Sequence, residues 1–439
     1  MKQQHLLFTS LIALFGLGHT FQSQATTGTA LVRSLTGKAS YVSPEGKGVL
    51  QSGMTLKEGA SVTTDPDSHV DLYLLENGGV MRIESDSTVK FAALRYRRYG
   101  RTSSFATDVQ VTRGNIVANI TKKLNPASHY RIRTPTGLVG VRGTSLQAGA
   151  AGVFTLTGTV EFKFNNGTIQ PIIGGTILPA GSTSPIKATQ AQTIGLAQSA
   201  TGSTLNATGN AALLQHTVET FAAAIAAQAA QDAGNDQAAS IAASVTASVV
   251  QALVTAAQSA ANELPPAQKA QVQLAVTALN AQIQTISAKA AAKAAVAAVI
   301  SNGGTPAQAQ TAANQAADNA TTDPGARNAA KGQIAGAVTA AGQGGSLAAM
   351  VDNVAAQTAA PGQGPGGPGG PGGPAPPPPG TQTTLIPISK DIIDQQTANS
   401  GVSPNMGPPA PPIPPPIPPP VPPPLPPPLP PPGPPPPGP

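Results

Sequence analysis

TPTGLVGVRGTSLQ, residues 134–147, carries glycines at intervals of three residues and an arginine beside the last of them. Glycines at this density cradle a phosphate when they join a strand to a helix. The sequence that follows, QAGAAGVFTLTGTVEF, predicts another turn and another strand, so the glycines are expected to serve turns or close backbone approach. Strand alternation then places Val139 and Val141 on one face, and Leu138, Gly140 and Arg142 on the other.

Short β-strands are predicted on both sides of this stretch, in a domain over residues 26–200. Runs in which apolar and polar residues alternate, such as HVDLYLL, HYRIRT and VFTLTGTVEFKF, are separated by turn sequences such as DPDS, TRGN and NNGT. Many short strands without a helical period indicate a β-solenoid, a barrel or a sandwich. The segment holds 18 Lys/Arg against 10 Asp/Glu, a net charge of +8, so an anionic partner would bind here. We expect such a domain, bounded by the change in composition at residue 200, to fold alone.

The N-terminal sequence predicts export. Lys2 precedes the apolar run LLFTSLIALFGLG, and the next residues, HTFQSQA, end in a small residue. This pattern is typical of a signal peptide over residues 1–25, cleaved after Ala25, which places the mature protein in the periplasm, at the cell surface or outside the cell. The alternative is a membrane anchor, but a run of about a dozen residues is short for a ~30 Å hydrocarbon core. No later stretch is expected to span a membrane.

The composition changes near residue 200 to alanine, glutamine, serine and asparagine. Alanine is the strongest helix former, so residues 201–359 predict an α-helical region of five or six helices. The longest helix is expected from Pro266 to about Ile300, because apolar residues recur there at spacings of four and three. These residues are Val272, Val276, Leu279, Ile283, Ile286 and Ala290. Such a stripe indicates either a coiled coil between chains or, as we favour, packing against neighbouring helices.

Residues 360–439 are dominated by glycine and proline. Proline can neither continue a helix nor donate to a strand ladder, so this segment is predicted to be a disordered tail with an extended polyproline section. A semi-rigid spacer is the favoured interpretation, and a ligand for a groove on a partner is the alternative.

The segment RYRRYGR, residues 95–101, interleaves tyrosines with arginines. It indicates an anion-binding site for polysaccharide or phosphate, whereas nucleic acid is not expected as a partner of an exported protein. The alternative is a solvated loop or an edge strand whose charges prevent aggregation. The candidate residues are Arg95, Arg97, Arg98 and Arg101.

Sequence motifs for catalysis are absent. The histidines of the mature chain lie outside metal-binding spacings, no G-x-S-x-G elbow occurs, and no cofactor or metal is expected. DPDSHVDLYLLE, residues 65–76, spaces its acids as a calcium loop does, but Val70 stands where such a loop needs glycine. We therefore expect a protein that is not an enzyme.

The opening stretch also carries a family signature. The pattern TP-x-G-x-V-x-V-RGT resembles that of the FecR domain, and the resemblance extends over residues 28–185, from GKASYVS through LKEGASVTTDPDSHVDLYLL and VTRGNIVANI to TLTGTVEF. The signature residues are Thr134, Pro135, Gly137, Arg142, Gly143 and Thr144. The resemblance implies a FecR-type β domain and gives these residues structural roles. Arg142 is therefore expected to be buried beside a carboxylate or carbonyl partner, with exposure on a basic face as the alternative.

FecR proteins are periplasmic β modules of iron-dicitrate-type regulators, which also contain an anti-sigma helix bundle and one membrane span. This chain departs from that plan, because the signal sequence leads directly into the β domain. The resemblance implies an exported interaction module without catalytic residues. We expect a binding or structural module of the cell envelope that contacts protein or anionic glycan. The alternative is a periplasmic signalling partner in FecR-type transmembrane regulation of a transporter.

Overall fold

The computed structural model describes residues 25–75, 79–99, 102–120, 124–342 and 438. The predicted signal peptide up to residue 24, Arg101 and nearly all of the predicted Gly/Pro-rich tail lie outside the described residues.

The first part of the described chain is built from β-strands. The strands are β1 Thr26–Thr27, β2 Ala30–Thr36, β3 Ala39–Ser43, β4 Gly46–Val49, β5 Thr55–Leu56, β6 Ser61–Thr64, β7 His69–Leu74, β8 Gly79–Ile83, β9 Thr88–Tyr99, β10 Thr102–Arg113, β11 Asn115–Asn119, β12 His129–Thr134, β13 Gly137–Val141, β14 Ser145–Gly149, β15 Gly152–Thr157, β16 Thr159–Phe164, β17 Ile169–Ile173, β18 Thr176–Pro179 and β19 Ile186–Lys187.

These strands form two sheets. Sheet A has the order β17-β16-β13-β12-β10-β9-β6-β3-β4, with β1 also paired to β9, and sheet B has the order β19-β18-β15-β14-β11-β8-β7-β2-β5. Neighbouring strands are antiparallel, except that β10 and β12 are parallel. From β6 onward the strands follow sequence order across both sheets while the chain crosses repeatedly from one sheet to the other. The domain therefore combines the two-layer form of a sandwich with the stepwise advance of a solenoid, two of the three forms that the sequence left open.

The inner faces of the two sheets share one hydrophobic core. Strands of sheet A bury alternate residues, as in β12 and β16, because their other face meets solvent. Strands β8 and β15 of sheet B are buried along their whole length. Sheet B is thus covered on both sides, and sheet A on one.

Helices follow the strands. They are α1 Gln190–Thr208, α2 Ala211–Ala233, α3 Ala238–Glu263, α4 Pro266–Ala281, α5 Ile283–Ser301, α6 Pro306–Ala320 and α7 Pro324–Ala341. The sequence correctly predicts an α-helical region after a β domain, but the described residues hold seven helices where five or six were expected.

The long helix expected from Pro266 to about Ile300 is two helices. Gln282 interrupts it with φ −109° and ψ 4°, and its N–H donates to the carbonyls of Leu279 and Asn280. The interruption lets α4 pack on α2 and α3, while α5 packs against α2, α3, α6 and α7. The apolar stripe still faces these neighbours, as favoured, since Val276 and Ile286 are both buried.

Helix α1 lies on the outer face of sheet B, where it contacts β2, β7, β8, β11, β14 and β15. The domain boundary predicted at residue 200 therefore falls within α1. Most of the buried side chains of α1 are small or polar, such as Ala200, Thr204 and Asn206, so the change in composition does not mark the change in structure. A fragment ending at residue 200 would lack the contacts that Thr204 and Asn206 make with sheet B.

Two helices, α3 and α5, are long and apolar enough to cross a membrane by length and composition, contrary to the expectation from the sequence. In the structure, 50% of the most apolar window of α3 and 72% of that of α5 are buried within the protein. Alanine raises the hydropathy of both helices although it buries little area. Helix α5 is thus the central helix of the α-helical region.

Candidate functional site

Signature residues form the turn between β12 and β13. The Thr134 hydroxyl donates to the Gly137 carbonyl at 3.1 Å, and Pro135 lies in the turn between them. A Cβ on Gly137 would lie 2.5 Å from the Lys163 carbonyl oxygen and 2.6 Å from the Phe162 ring. Only a residue without a side chain therefore lets β13 approach β16 this closely.

The remaining signature residues carry the chain from sheet A to sheet B, between β13 and β14. Gly143 has φ +102°, a conformation that residues with side chains rarely adopt. Thr144 is buried, and its carbonyl accepts from the Ile120 N–H at 3.0 Å. Arg142 is exposed and makes no ion pair with the residues that the structure describes. The expectation that Arg142 is buried beside a partner is therefore wrong, because its side chain is exposed to solvent where the chain crosses from sheet A to sheet B.

We predict that Arg142→Ala changes the free energy of unfolding by less than about 0.5 kcal/mol, as does Arg97→Ala at another exposed site. Gly143→Val should cost about 2 kcal/mol or more, since its φ is unfavourable for a branched residue. Urea melts of the three variants measure this contrast. A loss of several kcal/mol for Arg142→Ala would contradict the exposed position of its side chain.

The buried arginine of this domain is Arg82 on β8, which pairs with Asp71 on the adjacent strand β7. Its Nε donates to Asp71 Oδ1 at 2.7 Å, and its Nη2 donates to Oδ2 at 2.8 Å. Asp71 Oδ2 also accepts from the Ser34 hydroxyl at 2.9 Å and from the Asn206 amide of α1 at 3.0 Å. Sequence reasoning missed this site, although a charge of each sign inside the apolar runs HVDLYLL and VMRIE was a usable signal.

Opposing effects act on the carboxyl group of Asp71. Burial raises its pKa, but the charge and hydrogen bonds of Arg82 outweigh burial, and the pKa of Asp71 is lowered to about 2. Arg82 is affected in the same way, since burial lowers its pKa and Asp71 raises it by more. Both groups are therefore charged at neutral pH between sheet B and α1.

Further polar contacts join α1 to sheet B. The Asn119 amide donates to the Thr204 hydroxyl at 2.9 Å and accepts from the Ser145 hydroxyl at 2.7 Å. The Ser199 hydroxyl donates to Glu84 at 2.7 Å. Side-chain hydrogen bonds of this kind are directional, so they fix how α1 lies on the sheet.

Arg95, Arg97 and Arg98 of the predicted arginine cluster lie on β9, which forms a hairpin with β10. Arg95 donates to both carboxylate oxygens of Glu58, at 2.7 and 2.5 Å. The Arg98 guanidinium lies 5.9 Å from the centre of the Tyr96 ring, and Arg97 is exposed. The hairpin therefore keeps Arg97 available to an anion while Glu58 neutralises Arg95.

The outer surface of sheet A, here named the open face, gathers cations from several strands. Its exposed basic residues are Lys47, Lys90, Arg95, Arg97, Arg131, Arg133 and Lys163. Two acids share the face: Asp108, which accepts from Arg133 at 2.9 Å, and Glu161. The helices pack on sheet B, so this basic surface stays exposed. Arg131, Arg133 and Lys163 were not among the predicted anion-binding residues, because only the strand pairing brings them together.

Within the described ranges, no group of three or more histidine, aspartate or glutamate side chains could hold a metal ion. The acids at calcium-loop spacing are separated by the fold. Asp65 and Asp67 lie in an exposed turn, and Asp71 is buried in an ion pair with Arg82.

The comparisons with known proteins identify the class of the β domain. Residues 60–161 match the FecR protein family. The match confirms the resemblance carried by the RGT signature over this part of the chain. It includes β7, β8, the β9–β10 hairpin and the complete β12–β13 turn. No curated protein matches the chain.

Two crystal structures of a protein from Parabacteroides distasonis, described as an anti-sigma factor, are similar to part of the chain. Their sequence identities are 16% and 17%, both TM-scores are 0.24, and each match covers 31% of this chain. The matches span 64% and 63% of those proteins, so the chain covers less than two thirds of their length.

Proposed function

We propose that this protein is an exported, non-enzymatic binding module that contacts an anionic partner of the bacterial cell envelope, either protein or glycan, through the open face. The observation that carries the proposal is the asymmetry of the two sheets. Sheet B is covered by α1, whereas sheet A presents exposed basic side chains on four strands to solvent. Export rests on the predicted signal peptide at residues 1–25.

Charge is the physical basis of this proposal. A surface of one dominant sign raises the local concentration of oppositely charged partners and speeds their association. Salt at physiological strength screens exposed charges beyond ~8 Å, so such binding weakens as ionic strength rises. Cations are in excess on the open face, because it carries seven basic residues and the two acids Asp108 and Glu161. One of the seven, Arg95, is neutralised by Glu58.

We predict that the full chain from Thr26 onward, used as bait, recovers its partner from an envelope extract of the producing organism. Charge reversal on the open face by Lys90→Glu, Arg131→Glu and Lys163→Glu should reduce recovery at least about fivefold, as should high salt. The control is Lys38→Glu, which reverses an exposed charge in the turn before β3. Equal recovery by the wild type and the triple variant would overturn the proposal.

A second candidate function is signalling in FecR-type regulation of a transporter, which the match of residues 60–161 supports. The same recovery experiment separates the two. An outer-membrane transporter among the recovered proteins would favour signalling, whereas recovery of glycan would favour the binding module.

A further inference from the structure

One register of sheet A crosses the nine strands from β4 to β17, which are all the strands of this sheet except β1. Paired residues of neighbouring strands define it, and each faces outward. In order from β4 to β17 they are Lys47, Val42, Ser61, Lys90, Gln110, Arg133, Leu138, Lys163 and Ile169. We name these nine residues the cationic row.

The cationic row contains four basic residues and no acid. Lys90, Arg133 and Lys163 occur on every second strand, so neighbouring cations are about 10 Å apart at the backbone. The adjacent register of the same strands carries the acids Asp108 and Glu161, with Arg131 between them. A polyanion on the open face therefore meets cations and no acid along the row, but two acids and one cation beside it, which favours a path along the row, perpendicular to the strands.

Aliphatic side chains alternate with the cations in half of the row. Leu138 lies between Arg133 and Lys163, and the 59% exposed Ile169 follows Lys163. A chain of uronic-acid sugars offers the matching pattern, because each ring carries a carboxylate at its edge and C–H groups on its face. The row holds no aromatic side chain, so it lacks the stacking platform that single-stranded nucleic acids use.

Arg133 is held in place without being neutralised completely. Asp108 accepts two of its N–H groups, yet the Arg133 side chain remains 49% exposed. The pair therefore orients one guanidinium edge and leaves the rest accessible to a ligand carboxylate. Lys90 and Lys163 are exposed and make no ion pair in the described part of the chain.

We propose that the cationic row binds a linear anionic polysaccharide of the uronic-acid type, which lies across the strands of sheet A. This inference rests on the proposed function and specifies its ligand class and the ligand's direction. Binding through several weak contacts in one line makes affinity depend on ligand length. A chain that spans Lys90 to Lys163 should bind at least about tenfold more tightly than the single sugar.

The test is calorimetric titration of the full chain from Thr26 onward with polygalacturonate, with galacturonate as the short ligand. The double variant Lys90→Glu and Lys163→Glu should weaken polygalacturonate binding at least about tenfold, while the matched Lys38→Glu variant should stay within about twofold of the wild type. Circular dichroism checks that each variant is folded. A neutral glucan of similar length should not bind.

Three outcomes overturn the inference. The first is polygalacturonate binding that the double variant retains in full. The second is that poly-L-glutamate binds as tightly as polygalacturonate and loses the same affinity in the double variant. That result would show that the row recognises acidic protein. The third is absence of polygalacturonate binding by the wild type. In the second and third cases, the proposed function would still hold if recovery of a partner from the envelope extract depends on the open face.

Discussion

Replacing Asp71 by alanine is expected to lower the free energy of unfolding by about 3–5 kcal/mol. The substitution leaves the Arg82 guanidinium charged between sheet B and α1, without the carboxylate that now accepts two of its hydrogen bonds. It also removes the acceptor of the Ser34 hydroxyl and the Asn206 amide. Urea melts of the full chain from Thr26 onward measure the change.

The matched control is Asp232→Ala, which breaks the exposed ion pair with Lys187. An exposed pair contributes less than about 1 kcal/mol, so the two aspartate variants should differ clearly. Equal urea midpoints for Asp71→Ala and the wild type would contradict the buried pair.

The pair also gives stability a defined pH dependence. The pKa of Asp71 is lowered to about 2 in the folded protein, from an ordinary value of 3.8. Folding therefore favours the ionised form, and the contribution of Asp71 is present above about pH 4. It is lost as the pH falls toward 2, where the folded protein also takes up the proton. Acid titration should show a smaller loss of stability over this range in Asp71→Ala than in the wild type.

The second large effect is expected at Gly137, where substitution by valine should cost more than about 3 kcal/mol. Its Cβ would meet the Lys163 carbonyl oxygen at 2.5 Å, and a backbone atom within a paired strand cannot move aside as a flexible side chain can. The control is Gly140→Ala on the same strand, where the nearest atom to the new Cβ lies at 3.7 Å. Gly140→Ala should change stability by less than about 1 kcal/mol. Similar urea midpoints for the two variants would show that close approach of β13 to β16 does not explain Gly137.

Local pattern predicted the local structure well. The alternation in LVGVR places Val139 and Val141 in the core and leaves Leu138 partly exposed, as expected for a strand with one buried face. Turn chemistry also predicted that the glycines serve backbone geometry, since Gly143 has a positive φ and Gly137 lies against β16. Both inferences depend on neighbours in sequence, which a single sequence displays.

Long-range arrangement was harder to predict. The open face depends on pairing between strands up to dozens of residues apart, so sequence order separates Lys90, Arg133 and Lys163. The Gln282 interruption contains neither proline nor glycine, the usual signals of a helix end. The expectation for Arg142 assigned burial to the arginine of the signature, whereas the structure places Arg82 in that role.

The ordered advance of strands through the two sheets has a consequence for the evolution of length. Within each sheet, a strand pairs mainly with the preceding strand of the same sheet. Strands can therefore be gained or lost at a sheet edge, as repeats are in solenoid proteins, with little disturbance to the rest. Each further strand pair in sheet A would lengthen the cationic row by about 10 Å. Relatives with more or fewer strands would then bind longer or shorter tracts of the same polymer. The number of strands would thus set the length of polymer that is bound.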